Sequence, residues 1–254
     1  MSVSKLEAAG RNARREPYHE QRAQLACAFR WAARLDMHEA IANHFSLSVS
    51  EDGTRFLMNP DGRHFSRIRA SELLLVDARD PRILEREDAP DPTAWGLHGA
   101  VHRNCPQARC AMHLHPHYAT VLASLADGTM LPIDQNCARF FNRVAVDDGY
   151  GGMALEDEAE RCTRVLSDKR IMLMGNHGIM VTAPSVAQAF DELFYFERAA
   201  RTLITAYMTG QPLRVLPDEV AEKTARQWEE MPGFERHFRE LRKILDEEEP
   251  DYRL

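Results

Sequence analysis

Residues 171–182 read IMLMGNHGIMVT, two apolar runs broken at Gly175-Asn176-His177-Gly178. Each run is short, rich in apolar side chains and bounded by turn residues, which predicts two buried strands around a tight turn. Strands joined this closely pair antiparallel, because a parallel partner needs a long crossover. Just downstream, Val186, Ala189, Phe190, Leu193, Phe194, Ala200, Leu203, Ile204 and Tyr207 form the apolar face of a long helix, and Gly210 and Pro212 stop it. Upstream, residues 154–168 carry Leu155, Ala159, Cys162, Val165 and Leu166 at helical spacing, and residues 140–146 read as a strand. Further out, residues 108–115 read as a strand, and Phe45, Leu47 and Val49 alternate with serines as in a half-buried one. Asp52-Gly53 then turns the chain into residues 54–58. An amphipathic helix is predicted over 19–37, packing through Leu25, Ala28, Phe29, Ala32 and Leu35, with Glu20, Arg22, Gln24, Arg30 and Arg34 on its polar face. The pattern predicts one α/β domain with a central, mainly antiparallel sheet over residues 19–215. An N-terminal arm (1–18) and a C-terminal helical extension with a frayed acidic tail (216–254) flank it.

The 254 residues include 39 acidic and 32 basic side chains, a formal net charge of −7. That balance argues against a nucleic-acid partner, whose phosphates call for a basic surface. No apolar run reaches the length of a membrane-spanning helix, and the charged N-terminus has no apolar segment after it, so neither a membrane span nor a secretory signal is expected. The five cysteines include no CxxC pair and predict reduced, buried thiols in a cytoplasmic protein.

The histidines carry the chemistry. His113 and His115, in CAMHLHPHYAT, are i and i+2 on a strand, so both imidazoles face one side while Leu114 packs on the other. Two imidazoles can begin a divalent-metal site, but a third donor must come from elsewhere. His177, in a glycine-flanked turn, is the better third donor; His44 and His98 compete with it.

Taken together, AIANHFSLSV (40–49), FLMNPDGRHFSRIRASELLLVD (56–77), WGLHGAVHRNCPQARCAMHLHPHYAT (95–120) and IMLMGNHGIMVTAPSVAQAFDELFYFERAA (171–200) resemble the class II aldolase/adducin family, over roughly residues 23–213. The resemblance implies a three-layer α/β/α fold. It also implies a divalent metal held by His113, His115 and His177, with Zn²⁺ first and Fe²⁺, Mn²⁺ or Co²⁺ as alternatives. A homotetramer is the implied assembly, a homodimer the second choice.

Several positions depart from that resemblance. Sugar-phosphate aldolases of the family use an acid/base glutamate four residues before the histidine matching His98, and here Ala94 stands there. Pro92 and Thr93 replace two serines, Ala42-Asn43 replaces glycine-asparagine, and Asn59-Pro60-Asp61-Gly62 replaces threonine-proline-serine-glycine. Asp61 would repel a phosphate dianion. The expectation is therefore a metal-dependent lyase that decarboxylates or cleaves, by aldol-type chemistry, a small oxygenated carboxylic acid. His98 is the replacement acid/base candidate, with Asp91 and Glu87 behind it, and Asn43 and Tyr118 are candidate substrate contacts. The alternatives are an iron-dependent oxygenase, a non-enzymatic adducin-like binding or regulatory protein, and a sugar-phosphate aldolase.

Overall fold

The computed structural model describes residues 17–151 and 158–254. Its sheet contains β1 (His44–Ser48), β2 (Arg55–Met58), β3 (Leu74–Asp77), β4 (Cys110–Leu114), β5 (Val144–Asp147), β6 (Ile171–Met174) and β7 (Gly178–Ala183), in the order β3-β2-β1-β4-β7-β6-β5. Every pairing is antiparallel except β5 with β6. The helices are α1 (His19–Arg34), α2 (Pro92–Asn104), α3 (His117–Ala123), α4 (Gln135–Arg139), α5 (Glu158–Leu166), α6 (Val186–Met208), α7 (Asp218–Glu230) and α8 (Phe234–Glu248).

Strand alternation gives the sheet two buried faces. Phe45, Leu47, Cys110, Met112, Leu114, Ile179 and Val181 point to the face covered by α1, α3 and α6. Ala111, Met172, Met174 and Met180 point the other way, under Leu97 and Val101 of α2 and Cys162 and Leu166 of α5. The result is the expected three-layer α/β/α fold around a mainly antiparallel sheet. The β1–β2 turn is pressed against α2: Gly53 has φ +69°, and a Cβ there would lie 2.1 Å from the His102 carbonyl oxygen, so the position demands glycine.

Four expectations need correction. Arg22 and Arg30 are not on a solvated face of α1; they are 7% and 6% exposed. Arg22 donates to the Ala70 and Leu73 carbonyls and Arg30 to that of Ile68, so these guanidiniums satisfy the backbone of the irregular segment beneath the helix. The strand expected from residue 140 begins at Val144. Asp134 caps a short helix through the Cys137 N–H, Phe140 closes it, and Asn142 turns the chain at φ +57°. Strand β1 is buried along its whole length rather than half-buried, because α2 covers the face that carries Ser46. The acidic tail is docked, not frayed: Glu249 and Asp251 pair with Arg30 at 2.8 and 3.0 Å, and Tyr252 is fully buried and donates to Asp246. The expected arm up to residue 16 and the start of the helix expected over 154–168 lie outside the described residues. Among the described residues no helix is long and apolar enough to cross a membrane.

Candidate metal centre

His113 occupies the penultimate position of β4, His115 follows the strand's end, and His177 lies in the tight turn between β6 and β7. Because β4 and β7 are neighbours, the end of one strand meets the turn that starts the other. The ring centroids form a near-equilateral triangle, 4.9 Å for His113–His115 and 4.8 Å for each of the other two sides. One nitrogen from each residue lies within 4.8 Å of the others.

The second nitrogens decide the tautomers. His113 Nδ1 donates to the Ile179 carbonyl oxygen at 3.1 Å, and His115 Nδ1 donates to Glu39 Oε2 at 2.6 Å. Neither acceptor can supply a proton, so in the neutral rings both Nε2 atoms are bare, yet they face each other across 3.1 Å. Two lone pairs at that distance repel unless a cation lies between them. A tetrahedral centre with metal–nitrogen bonds of about 2.0–2.1 Å would space its ligands by roughly 3.3 Å. His177 Nδ1 is buried with no hydrogen-bond partner among the described residues. Burial, with the neighbouring imidazoles, holds His113 well below its ordinary pKa and takes His177 down to about 4. Neutral rings are what a metal requires, and the donor set fits a divalent ion.

Gly178 makes the junction possible. A Cβ there would lie 2.5 Å from the Leu114 carbonyl oxygen and 2.6 Å from His115 Cδ2. Gly178→Ala is therefore expected to displace the His115 ring and weaken metal affinity about 10–100-fold, the range seen when ligand orientation is disturbed. Competition against a chelator of known affinity measures this; unchanged affinity would count against the geometry.

The remaining candidates are distributed unevenly. Asn43 is 2% exposed, and its Oδ1 accepts from the Glu39 N–H at 2.6 Å. Its Nδ2 is buried without a partner among the described residues. His98 is fully buried on α2, with Nδ1 against Ser46 Oγ and Nε2 2.7 Å from His44 Nδ1. Tyr118 has its ring beneath the Arg201 guanidinium, at 5.7 Å, and beside His117. Asp91 caps α2 through the Ala94 N–H, and Ala94 itself packs with Phe56, Met58, Leu74 and Val76. Asn59, in the loop that departs from the family pattern, holds backbone: it accepts from the Phe45 N–H and donates to the Asn43 carbonyl.

Sequence reasoning missed Glu39, 76 residues from the imidazole it orients and 65% exposed. It also left His44, Ser46 and His102 unconnected. The signal for them was present: alternate residues on a strand and an i,i+4 pair on a helix.

The chain belongs to the class II aldolase/adducin family: the description "Class II Aldolase and Adducin N-terminal domain" matches residues 23–204. An aldolase II superfamily protein from Pseudomonas syringae is 32% identical, with a TM-score of 0.84 over 98% of this chain and 100% of that one. The decarboxylase NovR of Streptomyces niveus is 27% identical over 218 residues, 84% of this chain and 80% of that protein. A 4-hydroxy-3-prenylphenylpyruvate oxygenase/4-hydroxy-3-prenylbenzoate synthase of Streptomyces roseochromogenus subsp. oscitans is 26% identical over 218 residues, 84% of this chain and 78% of that protein. The superfamily thus includes lyases and aldolases as well as adducins.

Proposed function

We propose that this protein is a metal-dependent lyase acting on a small oxygenated carboxylic acid, by decarboxylation or aldol-type cleavage. The observation that carries the reading is the pair of bare Nε2 atoms of His113 and His115, 3.1 Å apart beside His177. A bound divalent ion, Zn²⁺ in the first instance and Fe²⁺, Mn²⁺ or Co²⁺ otherwise, supplies Lewis acidity for the negative charge that develops when a bond beside a carboxylate breaks. Glu39 orients His115, and Asn43 has a free amide N–H to donate to a substrate oxygen. His98 keeps a place in the proton-handling machinery through His44, since both of its own nitrogens are occupied. Tyr118, its ring beneath the Arg201 guanidinium, stays a candidate substrate contact through its hydroxyl. The likeness to a decarboxylase supports this reading, and Ala94 and Asp61 weigh against sugar-phosphate chemistry. Assembly as a homotetramer or homodimer and a cytoplasmic location complete the proposal.

The likeness to an oxygenase supports one competing reading, iron-dependent oxygenation. An anaerobic screen of small hydroxy and keto acids with Zn²⁺-, Mn²⁺- and Fe²⁺-loaded protein, read by mass spectrometry for cleavage products and CO₂, separates the two. Turnover is expected without oxygen and should vanish on chelation. Turnover only with Fe²⁺ and O₂ establishes the oxygenase, and no turnover beside a tight protein partner moves the adducin-like role ahead.

A further inference from the structure

A second histidine system lies against the metal centre, on the α2 side of the sheet. Strand β1 presents His44 and Ser46 on one face, and α2 presents His98 and His102 one turn apart above them. The four side chains are buried: Ser46 and His98 completely, His102 to 4% exposure and His44 to 8%. They form one continuous chain of hydrogen bonds. His102 Nδ1 meets the Ala108 carbonyl oxygen at 2.7 Å, and His102 Nε2 meets Ser46 Oγ at 2.7 Å. Ser46 Oγ also meets His98 Nδ1, and His98 Nε2 meets His44 Nδ1 at 2.7 Å.

The carbonyl at one end gives the chain a single direction. A carbonyl oxygen only accepts, so His102 Nδ1 carries the proton and, in the neutral ring, Nε2 accepts. Ser46 must spend its one O–H on His102 and can then only accept from His98 Nδ1–H. His98 Nε2 in turn is an acceptor and takes the proton of His44 Nδ1. Burial, which takes His102 down to about 4 and His98 well below the ordinary value, keeps both rings neutral. One proton per link is left, and it points from His44 toward Ala108. In the neutral His44 ring, Nε2 is therefore bare.

That atom has no hydrogen-bond partner among the described residues. It also lies beside the metal histidines: His44 and His113 are cross-strand partners, with rings stacked at 4.8 Å and 29°. His44 falls outside the three-residue ligand set.

We propose that Ser46, His98 and His102 are positioning residues that lock His44 in the Nδ1–H tautomer, so that its Nε2 accepts a hydrogen bond from a substrate hydroxyl and selects hydroxy acids over keto acids and phosphates. The proposal rests on the reading of this site as one for a small oxygenated acid and specifies which oxygen function it takes. A hydroxyl satisfies the lone pair. A keto oxygen or an ionised phosphate oxygen would set acceptor against acceptor in a buried place, the mismatch that polar sites reject most strongly.

The first test needs neither metal nor substrate. Long-range ¹⁵N–¹H spectra of chelator-treated, ¹⁵N-histidine-labelled protein should show His44, His98 and His102 as Nδ1–H tautomers. A wild-type His44 in the Nε2–H form overturns the proposal. Ser46→Ala should release His44 into a mixture of tautomers, and Ser46→Thr, which keeps the hydroxyl, should restore the single form. The second test uses zinc-loaded protein and calorimetric titration with lactate and pyruvate. Lactate should bind about 10-fold tighter, and Ser46→Ala should bring the two within about 2-fold, with zinc content unchanged. Equal wild-type affinities overturn the selection. Loss of zinc in His44→Gln would make His44 a ligand and overturn it as well. If neither acid binds zinc-loaded protein, the carboxylic-acid reading fails, while the His44 tautomer still decides whether Ser46, His98 and His102 position that ring.

Discussion

Purified His177→Ala protein should contain almost no bound metal, whereas the wild type should carry close to one ion per chain. Among the described residues three imidazoles supply the nitrogens of the cluster; His44 lies outside that set, with its Nδ1 on His98, and Glu39 faces the far side of the His115 ring. Disturbing a residue that merely orients a ligand costs about 10–100-fold in affinity, so losing a ligand should cost at least about 100-fold. His113→Ala should behave alike, with the further penalty of leaving the Ile179 carbonyl without its donor. Elemental analysis after dialysis, with circular dichroism to verify folding, makes the measurement. Wild-type metal content in folded His177→Ala protein would remove the basis of the proposed function.

The largest effect on stability should come from a residue far from that centre. Arg139, at the end of α4, is buried with Asp191 at 2.7 Å and Glu192 at 3.2 Å; the two carboxylates have side chains only 5% and 13% exposed. Its guanidinium also lies over the rings of Tyr195 and Trp228, at 4.8 and 5.1 Å. Arg139→Ala removes the guanidinium that the two buried acids share, leaving Asp191 to His237 at 2.8 Å and Glu192 to Arg170 at 3.7 Å. Breaking a buried pair on one side costs about 3–5 kcal/mol, far more than the intact pair is worth against an apolar substitute. Urea unfolding should show that loss. Folded protein should still bind metal, since the helix start that carries Asp191 and the β6–β7 turn sit at opposite ends of the sheet strands. A loss below about 1 kcal/mol would mean that water reaches the carboxylates.

The elements that could be read from the chain are those whose side chains obey one period. IMLMGNHGIMVT keeps its two strands and turn almost to the residue, and α6 runs over the predicted apolar face. The HxH spacing on β4 is enough by itself to put two imidazoles on one face, because a strand repeats every two residues. Failures arose where long polar side chains turn inward. Arg22 and Arg30 have the sequence signature of a solvated face, yet their partners include carbonyls 48 and 38 residues away that no local pattern reveals. Helix α7 falls inside the helical extension expected over 216–254, but its bounds could not be read because its buried residues are two alanines, Ala221 and Ala225, which leave no apolar stripe to count. The outer parts of the site were invisible for a related reason. Glu39 and the His44–Ser46–His98–His102 chain are defined by strand register and helix placement, which join segments far apart in the sequence.

Sheet order has a further consequence, for the sequence of folding events. Strands β1, β2 and β3 are chain neighbours and can zip together by short closures, as can β6 with β7. Strand β4 must be captured between these two units, and the link from His113 to Ile179 closes a loop of 66 residues. Loop-closure entropy places such long-range joins after the local ones. His44 belongs to the first unit, His177 to the second, and His113 to the strand that unites them, with His115 just past its end. Neither unit alone holds a ligand triangle, so an ion that binds it stabilises only the fully joined sheet. At a free concentration 100 times its dissociation constant, that ion would add about 2.7 kcal/mol to the last and slowest join.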